Sequence, residues 1–194
     1  MSVALEEWRG ASCEALDELE LVYGRVGGAG VGERIVTRQI DYAYAALILA
    51  HFQRYCRSIH AEASRALVAT VPDSALGLVL GDLLAQNRRL ERGNPTPRNL
   101  GRDFGLLGLD FWEAIEGDDP RNEGRRRTLA ELCDWRNAIV HGDISEKRDA
   151  GRLVPTDLNL ATCRVWRRDV GALANSIDRV VAFACQDLGC PRPW

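Results

Sequence analysis

The sequence predicts an all-α fold, an antiparallel bundle of about five to six helices with a long second helix. Three observations lead there. Apolar residues recur every three or four positions almost throughout the chain. No strand-like alternation and no internal repeat interrupts that rhythm. The 194 residues, 46% of them hydrophobic, suit a single domain spanning 1–194 with one core.

The first helix is expected from about Val3 to Tyr23, with Leu5, Trp8, Cys13, Leu16, Leu19 and Val22 spaced along it. The glycines of Gly24–Gly32 break it. That stretch lacks Gly-Lys-Ser/Thr and follows no strand pattern, so it reads as a connection rather than a phosphate-cradling loop. The second helix runs from about Glu33 to Ala69 on a stripe of Val36, Ile40, Tyr44, Ile48, Phe52, Tyr55 and Ile59. Pro72 ends it near Thr70, because the residue before a proline avoids helical angles. Asp73 then caps a third helix carrying Leu76, Leu80, Leu83 and Leu84, where Gly77 and Gly81 would admit another helix closely.

Pro, Gly and Asn punctuate Gly93–Asp119. Thr96-Pro97 reads as a cap and first helical residue of a short helix through Asp103, and Asp110–Glu113 resembles a capping box. Beyond the polar loop Gly117–Gly124, a helix is expected from about Arg125 to His141, stopped by Gly142. After a second polar loop, Thr156 or Asp157 would cap the last long helix, to about Leu188, leaving 189–194 as a tail.

Composition narrows the function. The longest apolar run, Ala43–Ala50, falls far short of the roughly 20 residues of a membrane span. The acidic start MSVALEEWRG has no signal-peptide pattern, so a cytoplasmic protein is expected. Its six cysteines lie apart without a C-x-x-C pair, so free thiols and no zinc site are expected. A net charge of −3 argues against whole-surface binding to nucleic acid. Basic residues are nevertheless almost all Arg, with Lys147 the only Lys, and the Arg fork suits phosphate oxygens.

The segment Asp134-Trp135-Arg136-Asn137-Ala138-Ile139-Val140-His141-Gly142 is the most informative. At about 100° per residue, Asp134, Asn137 and His141 share one polar stripe. Arg136 lies in the apolar arc of Leu129, Leu132, Ile139 and Val140, where a charge is costly without partners. Three readings stand open. Arg136 is a core anchor and His141 a helix-end cap favoured by the dipole, or the two form a phosphodiester-cleaving pair, or the stripe holds a metal, for which it supplies too few ligands.

Arg136-Asn137-x-x-x-His141 resembles the signature of the HEPN superfamily, in which an Arg is followed at short spacing by His near the end of a helix. The segments His51-Phe52-Gln53-Arg54-Tyr55-Cys56-Arg57 and Asn94-Pro95-Thr96-Pro97-Arg98-Asn99-Leu100 are similar to those of the bacterial RiboL-PSP-HEPN group. The likeness covers Arg34 to Leu188.

This resemblance implies a metal-independent RNA endonuclease without cofactor, of the toxin or antiphage-defence kind, with its site at a homodimer seam. An antitoxin or other protein partner is implied as well. The alternative within the family is a non-catalytic module that binds nucleotide, RNA or a protein. In the nuclease reading, His141 moves protons and Arg136 clamps the developing charge. Asn137 and Asp134 support them. Two protomers would supply the two His141 rings that the chemistry needs. On an ideal helix Arg136 and His141 project about 140° apart, so they converge only if the helix loosens near Gly142 or across a dimer.

His51 is expected as a hydrogen-bonded core histidine or a cleft-lining one, and His60 as solvated. Arg125, Arg126 and Arg127, and Arg164, Arg167 and Arg168 beside Trp166, are either solvated faces or tracks for RNA, with Trp166 available to stack a base.

Overall fold

The apolar spacing resolves into eight helices among the described residues, and no strand. The computed structural model describes residues 1–26, 31–86, 88–190 and 193–194, with side chains for all but 31–34. Helix α1 is one bent rod: Val3–Glu7, a π-helical turn Trp8–Ser12, and Cys13–Val26. It bends where Gly10 leaves helical angles (φ −90°, ψ −107°), as π-turns and glycines commonly allow. Then come α2 (Val31–Val68), α3 (Ser74–Gln86), a 3₁₀ turn (Arg89–Glu91), α4 (Pro97–Gly105), α5 (Phe111–Asp118), α6 (Asn122–His141), α7 (Ile144–Asp149) and α8 (Leu160–Asp187).

The count exceeds five or six partly because Ile144–Asp149, read as polar loop, closes into a short helix. It is helped by the Lys147–Asp143 pair at 3.1 Å, one turn apart. The expected break at Gly24–Gly32 is described only at its two ends. Gly24 and Gly32 are helical, and residues 27–30 lie outside the described residues.

Helix α2 is the axis of the fold and lies against α1, α3, α6 and α8. From Tyr44 onward its stripe is buried, through Ile48, Phe52, Tyr55, Cys56, Ile59 and Ala63. The stripe expected further up does not reach the core, for Val36 is exposed. Helix α8 answers with Cys163, Trp166, Val170, Leu173, Ile177 and Val181, all buried at intervals of three or four. The buried residues form one continuous core.

The first turn of α1 is tied into that core. The Val3 and Ala4 amides donate to the Glu62 carboxylate at 3.1 and 2.8 Å, and the Ser2 amide donates to Asp178 at 3.0 Å.

Several helix ends follow the expected chemistry. Asp73 Oδ1 accepts from the Leu76 amide at 2.9 Å, Thr96 Oγ1 from the Asn99 amide at 3.2 Å, and Gly142 terminates α6 at φ 73°. Others differ. Asn159, rather than Thr156 or Asp157, caps α8, accepting from the Thr162 amide at 3.1 Å. Asp110 starts α5 without a side-chain cap bond, so the capping box does not form.

Helix α3 buries Leu84 but leaves Leu76 and Leu83 exposed. Its glycines do admit a neighbour: a Cβ at Gly77 or Gly81 would stand 3.6 or 3.7 Å from the Val68 methyls of α2. No described helix is long and apolar enough to cross a membrane.

Candidate functional site

Along α6, Leu129, Leu132 and Cys133 are buried. Seven residues advance a helix by nearly two whole turns, so Arg136 lies over Leu129 and Val140 over Cys133. Yet Arg136 is only half-buried and Val140 is 56% exposed. The core contact passes round the helix to Trp135 and Ala138, both fully buried, and leaves the Leu129–Cys133 side uncovered at the level of Arg136 and Val140. Arg136 has no ion pair or hydrogen bond among the described residues. His141, the last helical residue before Gly142, is exposed. Helix α6 is continuous to His141, so the two side chains diverge within a protomer by about 140° and do not meet by loosening of the helix.

Asn137 is held from outside its helix. Asn94 Nδ2 donates to Asn137 Oδ1 at 2.6 Å, and Asn99 Nδ2 donates to the Asn94 carbonyl at 2.8 Å. From α2, Gln53 Nε2 donates to the carbonyls of Leu90 and Gly93, both at 2.8 Å, and Arg57 Nε to Leu90 O at 2.7 Å. Asn94–Leu100 is thus bonded to Asp134–Gly142, and His51–Arg57 is bonded to the turn that leads into Asn94. Asp134 is exposed and makes no hydrogen bond to His141 among the described residues; two turns separate them, about 10 Å of rise. Loss of hydration beside the neighbouring protein surface raises the Asp134 pKa above its ordinary value, against the opposing charge of Lys147.

Both conspicuous arginine clusters are engaged inside the molecule. Arg125 pairs with Asp119 at 2.8 Å, Arg126 with Glu116 at 3.1 Å while lying 4.7 Å over the Trp112 ring, and Arg127 with Glu123 at 3.1 Å. Because α6 begins at Asn122, this triplet sits a turn inside the helix and not at its positive end. Arg164 pairs with Glu20 at 2.8 Å, Arg167 with Asp17 at 2.7 Å, and Arg168 with Asp169 at 2.9 Å. The first two fasten α8 to α1. Trp166 is buried in the core and presents no face for a base to stack on.

His60 differs from expectation, and His51 lacks the hydrogen bond expected of a core histidine. His51 is half-buried beside the buried stripe and has no hydrogen-bond partner among the described residues; burial, then nearby Arg54, lowers its pKa. His60 is the core histidine. It is fully buried, edge-on to Phe104 at 5.3 Å, with Nε2 bonded to the Asp103 carbonyl at 2.9 Å, and burial lowers its pKa. Position 60 follows Cys56 by one turn, so helical spacing could have placed it inside.

Sequence reading missed a recess of about 360 Å³ lined by Arg89, Arg92, Gly93, Arg98, Asn99 and Arg102. The four guanidinium groups are exposed and have no acidic partner among the described residues. The nearby Glu91 is occupied by Arg88 at 2.6 Å and Arg57 at 3.6 Å. The buried Asp103 fixes the recess: its two carboxylate oxygens accept from the amides of Arg89 and Leu90, each at 2.8 Å, locking the 3₁₀ turn onto α4. Arg98 and Arg102, one turn apart on α4, were the available signal.

No group of three or more His, Cys, Asp or Glu side chains arranged to hold a metal occurs among the described residues, and all six cysteines are free. The chain matches no family model, no curated protein and no solved structure, so its function must be read from the site itself.

Proposed function

We propose that the chain is a metal-independent RNA endonuclease acting as a homodimer, of the toxin or host-defence kind that its HEPN resemblance implies. The observation that carries this reading is the uncovered side at the end of α6: an unpartnered, half-buried Arg136 in line with the buried Leu129, with His141 exposed as the last helical residue. A charged side chain in that position needs an anion or a second protein surface to complete it. A second copy of the same helix end, meeting it across a twofold axis, supplies such a surface.

In the dimer, Arg136 of one protomer faces His141 of its partner, which removes the 140° divergence. The ribose 2′-oxygen attacks phosphorus while one imidazole takes its proton. The P–O5′ bond breaks as the other imidazolium gives a proton to the leaving 5′-oxygen. Arg136 offsets the charge that builds on the phosphoryl oxygens. The products are a 2′,3′-cyclic phosphate and a 5′-hydroxyl. Asn137, pinned by Asn94, holds the segment in place.

Purified protein incubated with total RNA in EDTA tests the proposal. Arg136→Ala and His141→Ala should each abolish cleavage while helical circular dichroism and dimer mass stay unchanged. Equal activity in either variant refutes the role given to that residue, and a strict need for Mg²⁺ refutes the mechanism.

The divergence of Arg136 and His141 within one protomer favours a second reading, a non-catalytic module binding nucleotide, RNA or a protein partner. A monomer that binds RNA without cutting it would establish that reading instead.

A further inference from the structure

We infer that the recess of Arg89, Arg92, Arg98 and Arg102 is a subsite for the phosphodiester backbone of a single RNA strand. It would hold the strand beside the α6 site without reading its bases. The inference rests on RNA being the ligand of that site.

The arginines are costly where they stand. Arg98 lies in the first turn of α4, where the helix dipole disfavours a cation. Arg98 and Arg102 are one turn apart, a spacing at which like charges repel. Arg89 and Arg92 add two more charges to the same small recess. The two other arginine clusters of the fold are answered by carboxylates, as at Asp119, Glu116, Asp17 and Glu20. Here the one buried carboxylate, Asp103, caps backbone amides and leaves all four guanidinium groups free. Bound anions would remove the repulsion, and planar Arg forks suit phosphate oxygens.

The lining also narrows the ligand. It contains no aromatic side chain, so no base is stacked there, and the contacts it offers are to phosphates. Arg98 and Arg102 are separated by about 6 Å along α4, comparable to the spacing of consecutive phosphates in an extended strand. Position supplies the last argument. Asn99 lines the recess and bonds to Asn94, which bonds to Asn137 in the motif. Two hydrogen bonds therefore tie the recess to Asn137, the residue that follows Arg136.

The test uses full-length His141→Ala protein and a short fluorescent RNA with 2′-O-methyl sugars throughout, which cannot be cleaved by 2′-hydroxyl attack. Binding is followed by anisotropy over a range of salt. Arg98→Ala/Arg102→Ala should weaken binding roughly tenfold or more and reduce the salt slope by about 1.4, the value for two lost contacts on a single strand. A matched loss of two exposed charges, Arg25→Ala/Arg38→Ala, should leave affinity within about twofold. Unchanged affinity in the recess variant, or displacement of the RNA by polyglutamate as readily as by unlabelled RNA, overturns the subsite. Absence of any RNA binding also overturns it. Failure of the nuclease reading is seen separately: wild-type protein that cuts nothing, yet binds the uncleavable strand through Arg98 and Arg102, removes the catalysis and keeps the subsite.

Discussion

Asp41 offers a stringent test of the core. It lies on α2, 4% exposed, and its Oδ1 has no hydrogen-bond partner among the described residues. Burial pushes its pKa from the ordinary 3.8 to about 6. An acid whose pKa rises on folding binds its proton more tightly when folded. Its favourable contribution is therefore complete below pH 3.8 and is lost as pH climbs through about 6. At pH 7.5 the wild type holds a charged, poorly solvated carboxylate, at a cost with a ceiling of about 3 kcal/mol.

Asp41→Asn removes the charge at nearly constant shape. Allowing about 1 kcal/mol for an unmet amide N–H, the net gain at pH 7.5 is about 2 kcal/mol. That should raise Tm by roughly 4–8 °C for a chain of this length. Thermal and urea unfolding followed by circular dichroism from pH 4 to 8 is the assay. The advantage should shrink steadily toward acid, vanish at about pH 4.5 and reverse below it. No stabilisation at pH 7.5, or a gain independent of pH, would refute the reasoning. As a corollary, the neighbours Tyr23 and Cys163, whose pKa values the same carboxylate helps to raise, should titrate lower in the variant.

Two further outcomes concern the scaffold of the site. Asp103→Asn trades one acceptor of the 3₁₀-turn amides for a donor, and should cost about 2 kcal/mol in urea denaturation; an unchanged midpoint would mean the turn is not held by that carboxylate. Trp166→Ala should destabilise by about 3–5 kcal/mol, as loss of a buried indole does, whereas a stable variant with weakened RNA binding would restore the stacking role that the structure denies it.

How much was legible in the sequence depended on the range of the interactions. The long helices α2 and α8 were visible because their periodicity is local and extended, and Asp73, Thr96 and Gly142 were readable because a cap acts within a few residues. The partners of the arginine clusters were not legible, because a charge run does not announce its distant partners. Arg164 and Arg167 find theirs in Glu20 and Asp17, nearly 150 positions away. Arg136 was legible as an arginine on an apolar arc, but its lack of a partner and the uncovered stretch of α6 were not. The recess was hidden for the opposite reason. Its arginines are scattered over a turn and a helix and become neighbours only once Asp103 clamps those elements together.

That clamp separates framework from decoration. Asp103, Gln53 and Asn99 hold the loop through backbone groups, and none of them relies on the side chains of Arg89, Arg92, Arg98 or Arg102. These four positions can therefore change chemistry without disturbing what lies beneath. Mutation at these positions changes the charge of the rim while the helices under it remain as they are.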